Sequence, residues 1–185
     1  MRILCFGDSN TYGFDPRSYL GGRYPAEHRW PDIIAAATGW EIINDGVNGR
    51  RIPRAEYEFP TLLSRPDLLV IMQGSNDILQ GASAAEAAVR MESFISRLPF
   101  PRSHIMLIAP PAMTAGTWVS DEKLAAESCR LAREYEAIAV KMGICFADAG
   151  GWQINLCYDG VHFSENGHHT FANSLLPLLK TLYKI

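Results

Sequence analysis

The sequence predicts an open α/β fold, a parallel sheet with helices on both faces, and three observations carry that prediction. Apolar runs of strand length, such as Ile3-Leu4-Cys5-Phe6 and Leu68-Leu69-Val70-Ile71-Met72, recur along the 185 residues. They alternate with stretches whose apolar residues fall on one helical face. Glycine and other turn residues separate the two kinds of segment. Strands that alternate with helices make a parallel sheet, because right-handed crossovers bring each strand back in the same direction.

Each element has its own signal. Arg2 to Phe6 reads as a buried strand, and Pro31 to Thr38 as a helix with proline suited to its first turn and Gly39 as its stop. Trp40 to Asn44 is a second strand. Leu68 to Gln73 is a third, nearly all apolar, as a strand covered on both faces should be. Ser83-Ala84-Ala85-Glu86 forms a capping box; Met91, Phe94, Ile95 and Leu98 then share one face before Pro99 ends the helix. His104 to Ala109 is a fourth strand. Ser120 with Asp121 and Glu122 starts a long helix whose Leu124, Leu131, Tyr135, Ile138 and Met142 line one side, and Gly143 closes it. Ile144 to Ala147 is a short fifth strand. A last helix runs from about Glu165 with Phe171, Leu175, Leu178 and Leu182 inward, and Pro177 is expected to kink or restart it. No repeat or low-complexity linker interrupts the pattern, so residues 1–185 are expected to form one domain with a substantial core.

Composition narrows the function classes. A formal net charge of −3 leaves no basic footprint for nucleic acid. No hydrophobic stretch approaches membrane-spanning length, and the first strand begins almost at Met1 with no room for a signal peptide, so a cytoplasmic location is expected. Cys5, Cys129, Cys145 and Cys157 have neither CxxC pairing nor metal-ligand spacing and read as reduced, mostly core thiols. No cofactor is expected.

Four short blocks carry the chemistry. Gly7-Asp8-Ser9-Asn10 follows the first strand, Gly46-Val47-Asn48-Gly49 the second, and Gly74-Ser75-Asn76-Asp77 the third; Asp159-Gly160-Val161-His162 precedes the last helix. In an open α/β fold, all four then gather at the carboxyl edge of the sheet, where such folds build their active sites. A serine hydroxyl is a poor nucleophile until a base takes its proton, and histidine titrates close enough to neutrality to do so. His162 suits that task. Asp159, three residues earlier, is spaced for a turn that hydrogen-bonds the imidazole. Taken singly, each of these residues also reads as ordinary turn punctuation; it is their co-occurrence that argues for a site.

The four blocks resemble those of the SGNH hydrolases, or GDSL esterase/lipase family, named for a serine, a glycine, an asparagine and a histidine from four such blocks. The resemblance spans Gly7 to His162, nearly the whole chain. It implies a flavodoxin-like three-layer fold with about five parallel strands. It makes Ser9 the nucleophile, His162 the general base, Asp159 the orienting carboxylate, and the Ser9 and Gly49 N–H groups with the Asn76 amide the oxyanion donors. Asp8 and Asp77 read as turn and network residues. GDSN departs from the family's usual leucine after the serine, and Asn10 has two readings, a bond to a substrate oxygen or one to the neighbouring loop.

Rival chemistries fail on specific grounds. The G-x-S-x-G elbow of α/β-hydrolases and the G-x-G-x-x-G of dinucleotide-binding folds are both missing. His162, Glu165, His168 and His169 cluster in sequence, but a helix from about Glu165 aims His168 and His169 in different directions, one packed and one solvated, so no metal site is expected. RILCFGDSNTYG, Arg29-Trp30-Pro31 and Ala109-Pro110-Pro111 look like the arylesterase and acyltransferase branch of the family. That branch implies a small-molecule ester with a short acyl group, often acetyl, and often a homo-oligomer. Carbohydrate deacetylation and thioester hydrolysis stay open, as does an acyl- or sugar-binding protein without turnover. Asn10, Trp30, Ile78 and Val161 are the candidate substrate contacts, with Ile52, Pro111, Met113, Trp118 and Phe163 as further wall residues. The long segment from Thr11 to Trp30 either walls the pocket, carries a subunit contact, or is a plain surface loop.

Overall fold

Apolar strands buried on two faces need a layer of helices on each, and the computed structural model, which describes residues 1–18, 22–54 and 66–182, has that arrangement. Its strands are β1 (Arg2–Gly7), β2 (Glu41–Gly46), β3 (Leu68–Met72), β4 (Ile105–Ala109) and β5 (Cys145–Asp148). The helices are α1 (Ser9–Tyr12), α2 (Trp30–Thr38), α3 (Ser75–Leu79), α4 (Ala84–Ser96), α5 (Glu122–Met142) and α6 (Glu165–Leu182). One sheet forms in the order β2-β1-β3-β4-β5, with every pairing parallel. β3 and β4 are buried at every residue, whereas the edge strands β2 and β5 are only partly covered. Glu41, Asn44 and Asp148 are tolerated in those edge strands for that reason.

Successive side chains leave opposite faces of a strand, and this divides the core in two. Leu4, Phe6, Leu69, Ile71 and Leu107 pack with α4 and α5 through Ala87, Met91, Phe94, Leu131 and Tyr135. Ile3, Cys5, Val70, Met72 and Met106 pack with α2 and α6 through Trp30, Ile34, Phe171 and Leu175. The helix starts follow the expected caps. Ser83 and Glu86 bond reciprocally, Ser83 Oγ accepting from the Glu86 N–H at 3.2 Å and the Glu86 carboxylate from the Ser83 N–H at 2.8 Å. Asp121, one residue beyond Ser120, caps α5 by accepting from the Lys123 N–H at 2.8 Å.

Four expectations need correction. Leu178 and Leu182 on α6 are exposed, and Leu179 takes the inward place because Phe171, Leu175 and Leu179 continue one row of i, i+4 positions. α6 also runs unbroken through Pro177. Pro177 and Asn173, whose carbonyl loses its partner, both face solvent, so water can satisfy that group. Among the four free cysteines only Cys5 is fully buried, while Cys129 lies exposed on α5. α1 and α3 are short helices where the sequence reads as turns, and both carry residues of the four blocks. None of the helices described is long and apolar enough to cross a membrane.

The proline inside α6 sets a stability test. Pro177→Ala restores one intrahelical hydrogen bond on an exposed face, and it is expected to raise unfolding stability by about 1–2 kcal/mol in denaturant titrations, the helix penalty of proline less the entropy it removes from the unfolded chain. An unchanged or lower midpoint would show that the helix bears no proline penalty here.

Candidate active site

Three of the four blocks sit at the carboxyl ends of β1, β2 and β3, which are adjacent in the sheet. The fourth reaches them through the loop before α6. There, Asp159 folds back on its own segment: Oδ1 accepts from the Val161 and His162 N–H groups, each at 2.9 Å, and Oδ2 lies 2.7 Å from His162 Nδ1. A three-residue spacing therefore fixes carboxylate and imidazole together. His162 Nε2 lies 2.9 Å from Ser9 Oγ. With Nδ1 occupied by the carboxylate, Nε2 is the ring nitrogen left to face the serine hydroxyl.

Electrostatics separate the carboxylates. Burial pushes the Asp159 carboxyl up, but the bonds from His162 and the two backbone N–H groups outweigh it and hold it below the usual carboxylate range. Asp8, capping α1 by accepting from the Asn10 N–H at 3.0 Å, is pushed by burial up to about 6, against that N–H and the fields of His162 and Arg50. Asp77 is buried too, with Oδ2 accepting from the Ile52 N–H at 3.0 Å and Oδ1 from Arg90 at 2.9 Å. Asp8 and Asp77 thus act as turn and network residues.

The second and third blocks meet beside Ser9. Val47 donates to the Gly7 carbonyl at 3.2 Å and accepts from the Arg50 N–H at 3.1 Å, a tight turn that needs the left-handed φ of +71° found at Gly49. Asn76 Nδ2 donates to the Arg50 carbonyl at 3.1 Å and lies 3.5 Å from Asp8 Oδ2. It is flanked by the residue before Ser9 and the residue after Gly49.

A third loop supports the segment that carries His162. Residues of the segment after β4 bond the catalytic loop through backbone alone: Thr114 N–H to Gly160 O at 3.0 Å, Thr117 N–H to Tyr158 O at 3.2 Å, and Trp118 N–H to Asp159 O at 3.1 Å. The approach is so close that a Cβ on Gly116 would lie 2.3 Å from the Asp159 carbonyl carbon, and one on Gly160 would lie 2.0 Å from the Thr114 oxygen. The loop sets the Trp118 ring 4.9 Å from the His162 ring, edge-on, with the indole 52% exposed. Phe14 contacts His162 too, at 4.7 Å between centroids. Phe14, Arg50 and the glycine at 116 are the parts of the site that sequence reasoning missed. Of these, only Arg50, the cation that directly follows the second block, left a signal.

The candidate substrate contacts lie elsewhere than on an open wall. Asn10 is buried and spends its amide on the neighbouring loop, Nδ2 donating to Val161 O at 3.1 Å and Oδ1 accepting from the Phe163 N–H at 2.8 Å. Trp30 is buried with its indole N–H on the Asn10 carbonyl at 3.1 Å, and Ile78 and Val161 belong to the core. Hydrogen bonding and packing consume these four side chains. Ile52, Met113 and Phe163 are buried as well. His168 is packed between Tyr24 and Phe163, whereas His169 faces His28 across 3.2 Å.

Comparison with known proteins adds to this geometry. Residues 5–170 match the model of the GDSL-like lipase/acylhydrolase family. The isoamyl acetate-hydrolyzing esterase of Saccharomyces cerevisiae (strain ATCC 204508 / S288c) is 26% identical over 211 residues, spanning 98% of this chain and 87% of its own. A chain from Agrobacterium tumefaciens str. C58 assigned as an arylesterase superposes with a TM-score of 0.81 at 29% identity, covering 98% of this chain and 99% of that one. The aryl esterase of M. smegmatis gives a TM-score of 0.82 at 25% identity, over 98% of this chain and 99% of its own.

Acid stability offers a check on the packing beneath the site. Burial, together with the neighbouring His169 and Arg29 charges, drives the His168 imidazole down to about 3, and neither ring nitrogen has a hydrogen-bond partner among the described residues. A depressed histidine contributes stability that is complete above its unfolded value near 6.5 and is lost as pH falls toward the folded value. His168→Phe should remove that loss. Relative to wild type, the variant is expected to gain about 2 kcal/mol between pH 7 and pH 4.5 in urea titrations; parallel stability curves would refute it.

Proposed function

The chain belongs to the GDSL-like lipase/acylhydrolase family and is a carboxylic ester hydrolase, and on that premise we propose that it cleaves short-chain esters, chiefly acetates, through an acyl-enzyme on Ser9. The observation that carries the reading is the unbroken contact chain from Ser9 Oγ to His162 Nε2 at 2.9 Å and from His162 Nδ1 to Asp159 Oδ2 at 2.7 Å. The acetate preference draws support from the yeast relative, whose name specifies an acetate ester.

In the first step His162 Nε2 takes the Ser9 proton as Oγ bonds to the ester carbon. Negative charge moves to the carbonyl oxygen, where the Ser9 and Gly49 N–H groups and the Asn76 amide receive it. Asp159, kept ionised by its three donors, stabilises the imidazolium. The bond from the ester carbon to the alcohol oxygen then breaks, and the alcohol leaves with the proton from His162. Water repeats the sequence on the acyl-Ser9 ester, releasing the acid. An alcohol in place of water yields a new ester, which is acyl transfer.

The test is hydrolysis of 4-nitrophenyl acetate, butyrate and octanoate by wild type and Ser9→Ala. Wild type should be fastest on acetate, and Ser9→Ala should lose about 10⁴-fold or more in kcat. Equal activity of the two proteins would eliminate the serine mechanism, and a rate that rises with chain length would eliminate the short-ester preference. Matched thioesters and acetylated sugars separate the thioesterase and deacetylase alternatives by the same readout.

A further inference from the structure

Arg50 ties the second block of the site to the first. Its side chain is only 10% exposed. Nη2 donates to Asp45 Oδ1 at 2.8 Å, and Nη1 donates to Gly7 O at 3.2 Å and to the Asp45 carbonyl. The guanidinium also lies over the Phe6 ring, 4.3 Å from its centroid. Gly7 leads into Ser9, and Asp45 leads into the turn that holds Gly49. The backbone of Arg50 completes the connection, its N–H closing that turn on Val47 and its carbonyl accepting from Asn76 Nδ2.

We propose that Arg50 is the positioning residue of the oxyanion hole: anchored on Gly7 and Asp45, it holds the 47–50 turn so that the Gly49 N–H and the Asn76 amide face the carbonyl oxygen under attack. The inference rests on the ester-hydrolase reading of Ser9, Gly49 and Asn76 given above. One Asn76 amide hydrogen is committed to the Arg50 carbonyl, which fixes the amide plane. Among the described residues the other has one further partner, Asp8 Oδ2, only at the outer limit of 3.5 Å, and is available to the oxyanion. A donor aimed in advance costs no reorganisation when charge develops, and this is the source of its catalytic value. The planar fork serves three acceptors and stacks on a ring at once. A lysine ammonium, a compact point charge, cannot reproduce that arrangement.

The experiment is a double-mutant cycle on 4-nitrophenyl acetate with Arg50→Lys, Asn76→Ala and the double variant, each also followed by thermal unfolding. Asn76→Ala is expected to lower kcat about 10²-fold, and Arg50→Lys about 10-fold or more with KM changed less than about 3-fold. Because Arg50 acts through the donors, the double variant should lose at least about fivefold less than the product of the two single losses. Independent, multiplicative losses would overturn the proposal, as would an Arg50→Lys effect confined to KM. Should Arg50→Lys fail to fold, Asp45→Asn weakens the same anchor while keeping Arg50, and the same cycle is read with it. Full kcat in Asn76→Ala would sink the oxyanion reading itself, whereas a loss there with none in Arg50→Lys would sink only the role of Arg50.

Discussion

The two hydrogen bonds of the Asn10 side chain hold the site together. They join the first helix, which carries Ser9, to the loop before the last helix, which carries His162, and they do so on the residues flanking the histidine, Val161 and Phe163. Without that clamp the contact between serine and imidazole would depend on two segments from opposite ends of the chain. Each such bond contributes only about 0.5–1.5 kcal/mol net, but a buried backbone group left without a partner costs about 1–3 kcal/mol. The loss of alignment matters more than the loss of energy. Trp30 extends the clamp, since its indole N–H holds the Asn10 carbonyl from the α2 side.

Around this clamp, three buried carboxylates take three roles through their surroundings. Asp159 has three donors and stays charged beside His162. Asp77 is neutralised by Arg90 and ties the Ile52 segment to α4 through one carboxylate. Asp8 is buried as well, and there burial outweighs its donors and raises the carboxyl. The same side chain is thus an orienting group, a cross-brace or a cap according to how many N–H groups meet it. Asp8 lies between His162, Arg50 and Asn76, so its ionisation bears on both the imidazole and the Asn76 amide.

Much of the fold was legible because the inner strands are continuous apolar runs and the helices carry clear caps. The capping box at Ser83 and the stop at Gly143 needed only local chemistry. Leu178 and Leu182 misled because apolar side chains on a terminal helix read as inward whether or not a layer covers them. In the site, the Asp159 to His162 pairing was legible from spacing, and the Ser9 partnership from the order of the blocks. The substrate contacts were not. Trp30 and Ile78 look the same in sequence whether they face a pocket or a core, and Asn10 shows its bonds only once the two ends of the chain are brought together. Phe14 and the glycine at 116 act through tertiary proximity alone, which no local pattern encodes.

The backbone interlock between the segment after β4 and the catalytic loop has a dynamic consequence. With Gly116 against Asp159 and Gly160 against Thr114, the two loops meet backbone to backbone at points that have no side chain to rotate out of the way. Neither can shift alone without a clash or the loss of three hydrogen bonds. Any fluctuation that swings His162 away from Ser9 must therefore carry Trp118 with it, and the imidazole and the indole at the rim travel as one rigid body.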